Sequence, residues 1–304
     1  MLKGLRILDL THRLPGPLAG KILQELGAEV VKIEDEKHKD PFLSGMFSAF
    51  DKSFEDWYEE LNGKKRILRL DFKSSEIKQQ IAREMANADG LLLSLSPKLK
   101  TNLGLDDQSL RGELAVVELE ASSTHNKAMH DLNALAISGF LGLHVAHETD
   151  DIVPPPFLPV AGIAFGQQVA TQMLANIIAS KKSKSLVKTV SYLHDTTENL
   201  FHPFWSRKLQ SEGKTKFLHN GAYPCYCLYR CKDGHYAALA AVEEKFWSDF
   251  ISTFSVPLEL GERFNTDQAS FRIVADVFAK LTVDEIEARS ADKELCLSIV
   301  RRIS

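Results

Sequence analysis

The 304-residue chain is poor in cysteine, with four in all and three of them between 225 and 231, which excludes a disulfide-stapled scaffold. It lacks a large surplus of either charge: 37 basic against 41 acidic residues give a net −4, which argues against a nucleic-acid partner. It has no apolar run near the ~20 residues needed to span a bilayer. The opening MLKGLRILDL is patterned as a strand and carries no cleavage site, so neither a signal peptide nor a membrane partner is expected, and the expected location is cytoplasmic. Two catalytic signatures are missing as well, H-E-x-x-H and G-x-S-x-G.

What is present fits an ordinary soluble globular protein: 44% apolar and 26% charged residues, over a length that at roughly 150 residues per domain suggests two domains. The first hundred residues alternate strand and helix signals. Residues 5–10 (LRILDL) form a short apolar run, Leu18, Ile22 and Leu26 recur at helical spacing before Gly27, and 28–33 (AEVVKI) is a second strand. Further strands are expected at 67–72, 90–95, 114–119 and 186–192, with helices at 77–88, from 131 to 143, at 164–180 and at 195–210. Residues 35–40 and 44–60 read as irregular insertions. Strands alternating with helices imply a parallel sheet covered on both faces. The expectation is an α/β fold: a Rossmann-like large domain at 1–190, a linker at 191–219 and a smaller α+β domain at 220–304. The smaller domain is built on a hairpin turning at Asp233-Gly234, with helices at 244–254, 268–281 and 282–291.

The loop after the first strand is Thr11-His12-Arg13-Leu14-Pro15-Gly16-Pro17 and holds no G-x-G-x-x-G. Glu34, at the end of the second strand, could imitate a ribose-binding acid, but without those glycines a nucleotide-dependent oxidoreductase is the least favoured reading. Cys225, Cys227 and Cys231 fall with Tyr229 on one face of a single strand, in a row that cannot close around one point, so no metal is expected. Lys64-Lys65-Arg66 could hold a phosphate, or simply be a solvated basic approach to a strand. His130-Asp131 pairs an ionisable ring with a carboxylate ahead of an apolar helix and is the best catalytic candidate, although Asp131 could equally serve only as a helix cap.

Several segments resemble family III CoA transferases, which also include the 2-methylacyl-CoA racemases. They are LRILDLTHRLPGPLAGKILQELGAEVVKIE (5–34), NGKKRILRLDFK (62–73), HDLNALAISGFLGL (130–143) and AYPCYCLYRCKDGHYAALAAVEEKFW (222–247). The second of these is like the family's Asn-Arg-Gly-Lys-Arg-Ser segment, and the third is like the His-Asp-Ile-Asn-Tyr segment of the racemase branch. The resemblance implies an acyl-CoA thioester as substrate or ligand, an interlocked homodimer, and Pro15, Lys65 and Arg66 at the coenzyme A site. It also implies proton transfer α to the thioester, with His130 and Glu243 sharing the step and Asp131 adjacent. A thioester acidifies its α-proton, and bases on opposite faces of the enolate allow return from either side.

The family's aspartate, which attacks the thioester in transferases and opposes the histidine in racemases, aligns with Gly162, so transferase chemistry is not expected. A catalytically silent homologue, kept as an acyl-CoA-binding or protein-interaction module, is the alternative. Against the family the chain is also short at its C-terminus, which leads to an expectation that the return crossover to the large domain is missing and that one crossover per chain holds the dimer.

Overall fold

The computed structural model describes residues 1–301, apart from the side chain of Met46. It divides into two compact units, residues 1–206 and 207–304.

The first unit carries a six-stranded sheet: β1 (Arg6–Leu10), β2 (Glu29–Asp35), β3 (Arg66–Leu70), β4 (Gly90–Leu93), β5 (Ala115–Glu120) and β6 (Val187–Tyr192). Its order is β3-β2-β1-β4-β5-β6 and every pairing is parallel. The apolar runs read from the sequence are these strands. They lack polar alternation because both faces are covered. Ile7, Val30, Leu92 and Val117 face one layer, while Leu8, Val31, Leu91 and Val116 face the other.

The first layer holds α1 (Pro15–Glu25), α6 (Asp131–Ile137) and α8 (Val160–Ser183), and the second holds α4 (Ile77–Met85) and α5 (Pro97–Leu103). Pro15 opens α1, where its missing N–H is no loss, and Pro17 lies in the same first turn. The helix read at 164–180 begins four residues earlier, at Val160. The helix expected from 131 to 143 is interrupted at Gly139, which has φ 84°, and resumes as α7 (Phe140–Val145). The one expected at 195–210 is two, α9 (Leu193–Phe201) and α10 (Arg207–Ser211). Residues 44–60, expected to be irregular, fold mostly as α2 (Met46–Phe50) and α3 (Ser53–Asn62).

Beneath the β1 loop lies a set of buried charges. The Lys65 ammonium donates to Asp9 Oδ2 (3.0 Å), to the Pro17 carbonyl (2.8 Å) and to Asn62 Oδ1 (2.9 Å). Neither the Asp9 nor the Lys65 side chain is exposed. Gly20 leaves the room for them, since a Cβ there would stand 2.8 Å from Lys65 Nζ and 2.9 Å from Asp9 Oδ2.

The second unit contains a three-stranded antiparallel sheet, β7 (Tyr226–Arg230), β8 (Tyr236–Ala240) and β9 (Leu297–Ile299), in the order β7-β8-β9. The first two strands are the expected hairpin, and β9 had no sequence signal. The helices are α11 (Glu244–Phe254), α12 (Gln268–Phe278) and α13 (Val283–Ser290). Cys225, Tyr229 and Cys231 point into a core with Trp247, Phe250 and Phe278, and all four cysteines are free. Burial raises the Cys225 thiol to about 11, as befits an inert structural thiol.

No helix among the described residues is long and apolar enough to cross a membrane. No group of three or more His, Cys, Asp or Glu among them could hold a metal ion.

Candidate active site

In an open α/β sheet the ligand crevice lies beyond the carboxyl ends of the strands, where the strand order reverses. Here that point falls between β1 and β4. Two cavities open there, of about 800 and 630 Å³, and both are lined by Thr11, His12 and Arg13. The loop carrying these residues is held from below. Lys32 Nζ donates to the Thr11 carbonyl (2.7 Å) and lies 3.7 Å from Asp40, whose Oδ2 accepts the Arg13 N–H at 2.9 Å. These bonds keep Arg13 in a left-handed conformation, φ 65°, that few side-chain-bearing residues adopt.

The larger cavity is cationic. Lys39, Lys73, Lys78, Lys98 and Arg13 line it together with His38. Of its three acids, Glu34 accepts from Tyr58 Oη (2.9 Å) and pairs with Arg69 (3.3 Å), Asp40 faces Lys32, and Asp35 accepts the Lys37 N–H (3.0 Å), so the five cations leave the lining positive. Phe72, Leu95 and Leu99 supply an apolar wall. The cations come from separate elements, which is why no run in the sequence announced them.

The smaller cavity contains His130, Asp131, Pro15, Glu120 and Gly162 amid apolar residues. His130 stands at the N-cap position of α6 and is exposed, with its backbone N–H bound by Asn133 Oδ1 at 3.0 Å. Asp131 is the first residue of α6 and not its cap, and its carboxylate serves another helix. Its Oδ1 accepts the Gly162 N–H at 2.6 Å, at the start of α8. Burial raises its pKa above the ordinary carboxylate value, partly countered by the Gly162 and Ala161 N–H groups. A Cβ on Gly162 would stand 3.5 Å from that oxygen and 2.9 Å from Leu14 Cδ2. The carboxylate of Asp131 thus lies next to the place where a side chain at position 162 would begin.

Asp131→Asn keeps the acceptor for Gly162 and is expected to change stability by less than about 1 kcal/mol. Asp131→Ala leaves the α8 terminus uncapped and should cost about 1 kcal/mol more. Urea unfolding of the two variants tests this, and equal losses would count against the capping role.

Of the other sequence-derived site residues, Pro15 lines the smaller cavity. Lys65 and Arg66 line neither. The Lys65 ammonium is enclosed and is engaged by three internal acceptors. Arg66 starts β3, at the amino end of the sheet away from the crevice, and pairs with Glu84 at 3.7 Å. Glu243 is an exposed residue at the N-cap of α11 in the second unit.

The first unit is thus a doubly wound α/β sheet with a charged and an apolar cavity that share Thr11–Arg13 at its switch point. The sequence makes the class specific: the description "CoA-transferase family III" matches residues 2–304, and the chain belongs to that family. It is 25% identical over 299 residues to an alpha-methylacyl-CoA racemase of Mus musculus, covering 94% of this chain and 74% of the relative. It is also 25% identical over 261 residues to a succinyl-CoA:glutarate CoA-transferase of Homo sapiens, covering 81% and 57%. A CAIB/BAIF family protein from Brucella suis has the same fold, with a TM-score of 0.76 at 19% identity over 95% of this chain and 81% of that one.

Proposed function

We propose that the chain binds an acyl-CoA thioester across the two neighbouring cavities and moves the proton α to its carbonyl. The observation carrying this reading is the sharing of Thr11–Arg13 by a cationic cavity and an apolar one that contains His130 and Asp131. A CoA thioester has matching ends, an anionic nucleotide and an acyl group. Lys73, Lys78 and Lys98 would meet the phosphates.

At the thioester, a His130 ring nitrogen takes the α-proton and the C–H electron pair moves onto the carbonyl oxygen as an enolate. Asp131, kept protonated more readily by its burial, returns a proton to the same carbon. If the proton returns to the opposite face, the product is the other epimer. In this reading Asp131 supplies the carboxyl that residue 162 lacks. The family kinship and the racemase relative support the chemistry. Acyl transfer through residue 162 is left out, since glycine has no side chain to attack a carbonyl.

Calorimetric titration with acetyl-CoA is the test. Saturable binding that weakens with added salt is expected, because the cationic cavity acts on an anionic ligand. Absence of binding would overturn the reading.

A further inference from the structure

The segment expected to be irregular at 44–60 brings three rings together with Phe42 just ahead of it. The Phe42 centroid lies 5.0 Å from Phe54, 5.8 Å from Phe47 and 6.0 Å from Trp57. Phe54 lies 5.2 Å from Phe47 and 5.5 Å from Trp57. All the contacts are edge-on or tilted, with interplanar angles from 41° to 85°. Phe42 is buried, but Trp57 stays 38% exposed, and all four rings line the cavity that holds His130 and Asp131.

Rings turned toward an open cavity leave apolar surface in water that a bound apolar group would cover. The guanidinium at this wall, that of Arg13, already sits over the Phe47 ring, 5.5 Å from its centroid. A terminal carboxylate on the acyl group would enter a mainly apolar, ring-lined space that also holds Glu120, at a desolvation penalty. The relatives leave the acyl group open, because one is named for a methylacyl ester and another for dicarboxylic ones.

We infer that Phe47, Phe54 and Trp57 form the acyl-recognition wall and select a bulky, uncharged, ring-bearing acyl group over a dicarboxylic one. This rests on the CoA-thioester reading above. Aromatic rings favour another ring at tilted or edge-on contact, beyond the gain from buried area.

The test is calorimetric titration of the full chain with free CoA, phenylacetyl-CoA and succinyl-CoA. Phenylacetyl-CoA should bind at least about tenfold more tightly than succinyl-CoA. Phe47→Ala and Trp57→Ala should each lower that affinity by about three- to tenfold, with the loss falling on phenylacetyl-CoA and not on free CoA. Trp57→Phe should keep most of the preference. Trp57→Arg, which sets a cation on the wall, should move it toward succinyl-CoA. Binding of CoA with no acyl discrimination, or losses equal for CoA and its esters, would overturn the inference while leaving the thioester reading in place. Failure of all three ligands to bind would overturn both.

Discussion

His130→Ala is expected to abolish deuterium wash-in at the α-carbon of a 2-methylacyl-CoA in heavy water. The ring stands at the mouth of α6 in the apolar cavity, beside a carboxyl whose pKa is raised by burial. A positioned general base accelerates proton removal by about 10²–10⁴-fold, so the exchange rate of the variant should fall by that factor. Asp131→Asn separates the two roles. It keeps the bond to Gly162 but can no longer deliver a proton, so epimerisation should fall while wash-in by His130 persists in part. Undiminished exchange in His130→Ala would remove the histidine from the chemistry. Binding without any exchange in the parent protein would favour the silent-module reading.

Lys65→Met is expected to be the most damaging single change to the fold, costing about 3–5 kcal/mol, because it leaves the Asp9 carboxylate buried and unpaired. For a unit of this size that lowers the melting temperature on the order of 10 °C. The double variant Asp9→Asn/Lys65→Met removes both charges and keeps an oxygen for the Thr11 N–H, so it should lose much less than the sum of its parts. The same pair gives a pH signature. Burial by itself would raise the Asp9 carboxyl, but Lys65, Lys32 and the Thr11 hydroxyl together outweigh it and hold the group at about 2, below the ordinary 3.8. A depressed carboxyl stabilises the fold fully above its unfolded value, and that stabilisation fades as pH falls from 3.8 toward 2. Acid unfolding of the parent should show this fading, and that of the double variant should not. Matching acid profiles would contradict the pairing.

The fold was legible where a local pattern decides structure. Residues 5–10 and 114–119 are apolar except at Arg6, Asp9 and Glu118, because a parallel strand here is covered on both sides, and the helix expected at 282–291 is α13, which opens on a capping box of Thr282 and Glu285. Residues 44–60 were not legible because Phe47, Phe54 and Trp57 are scattered among acids and bury against one another, not along the sheet. The three-residue strand β9 exists through its pairing with β8, a contact between distant residues that no local window holds.

The site divided in the same way. His130 and Asp131 are adjacent and open a helix, so sequence could single them out. The bond from Gly162 to Asp131 joins residues 31 apart. Lys73, Lys78 and Lys98 converge only through topology, while the conspicuous Lys65 turns inward because Asp9, Pro17 and Asn62 offer it three acceptors.

The central claim is that one CoA thioester spans both cavities, and a crystal structure of the chain with acetyl-CoA bound tests it most directly. The account predicts the phosphates among Lys73, Lys78 and Lys98, and the thioester carbonyl in the cavity of His130 and Asp131 beyond the Thr11–Arg13 loop. A ligand bound away from that loop, or with its acyl end in the lysine-lined cavity, would contradict it.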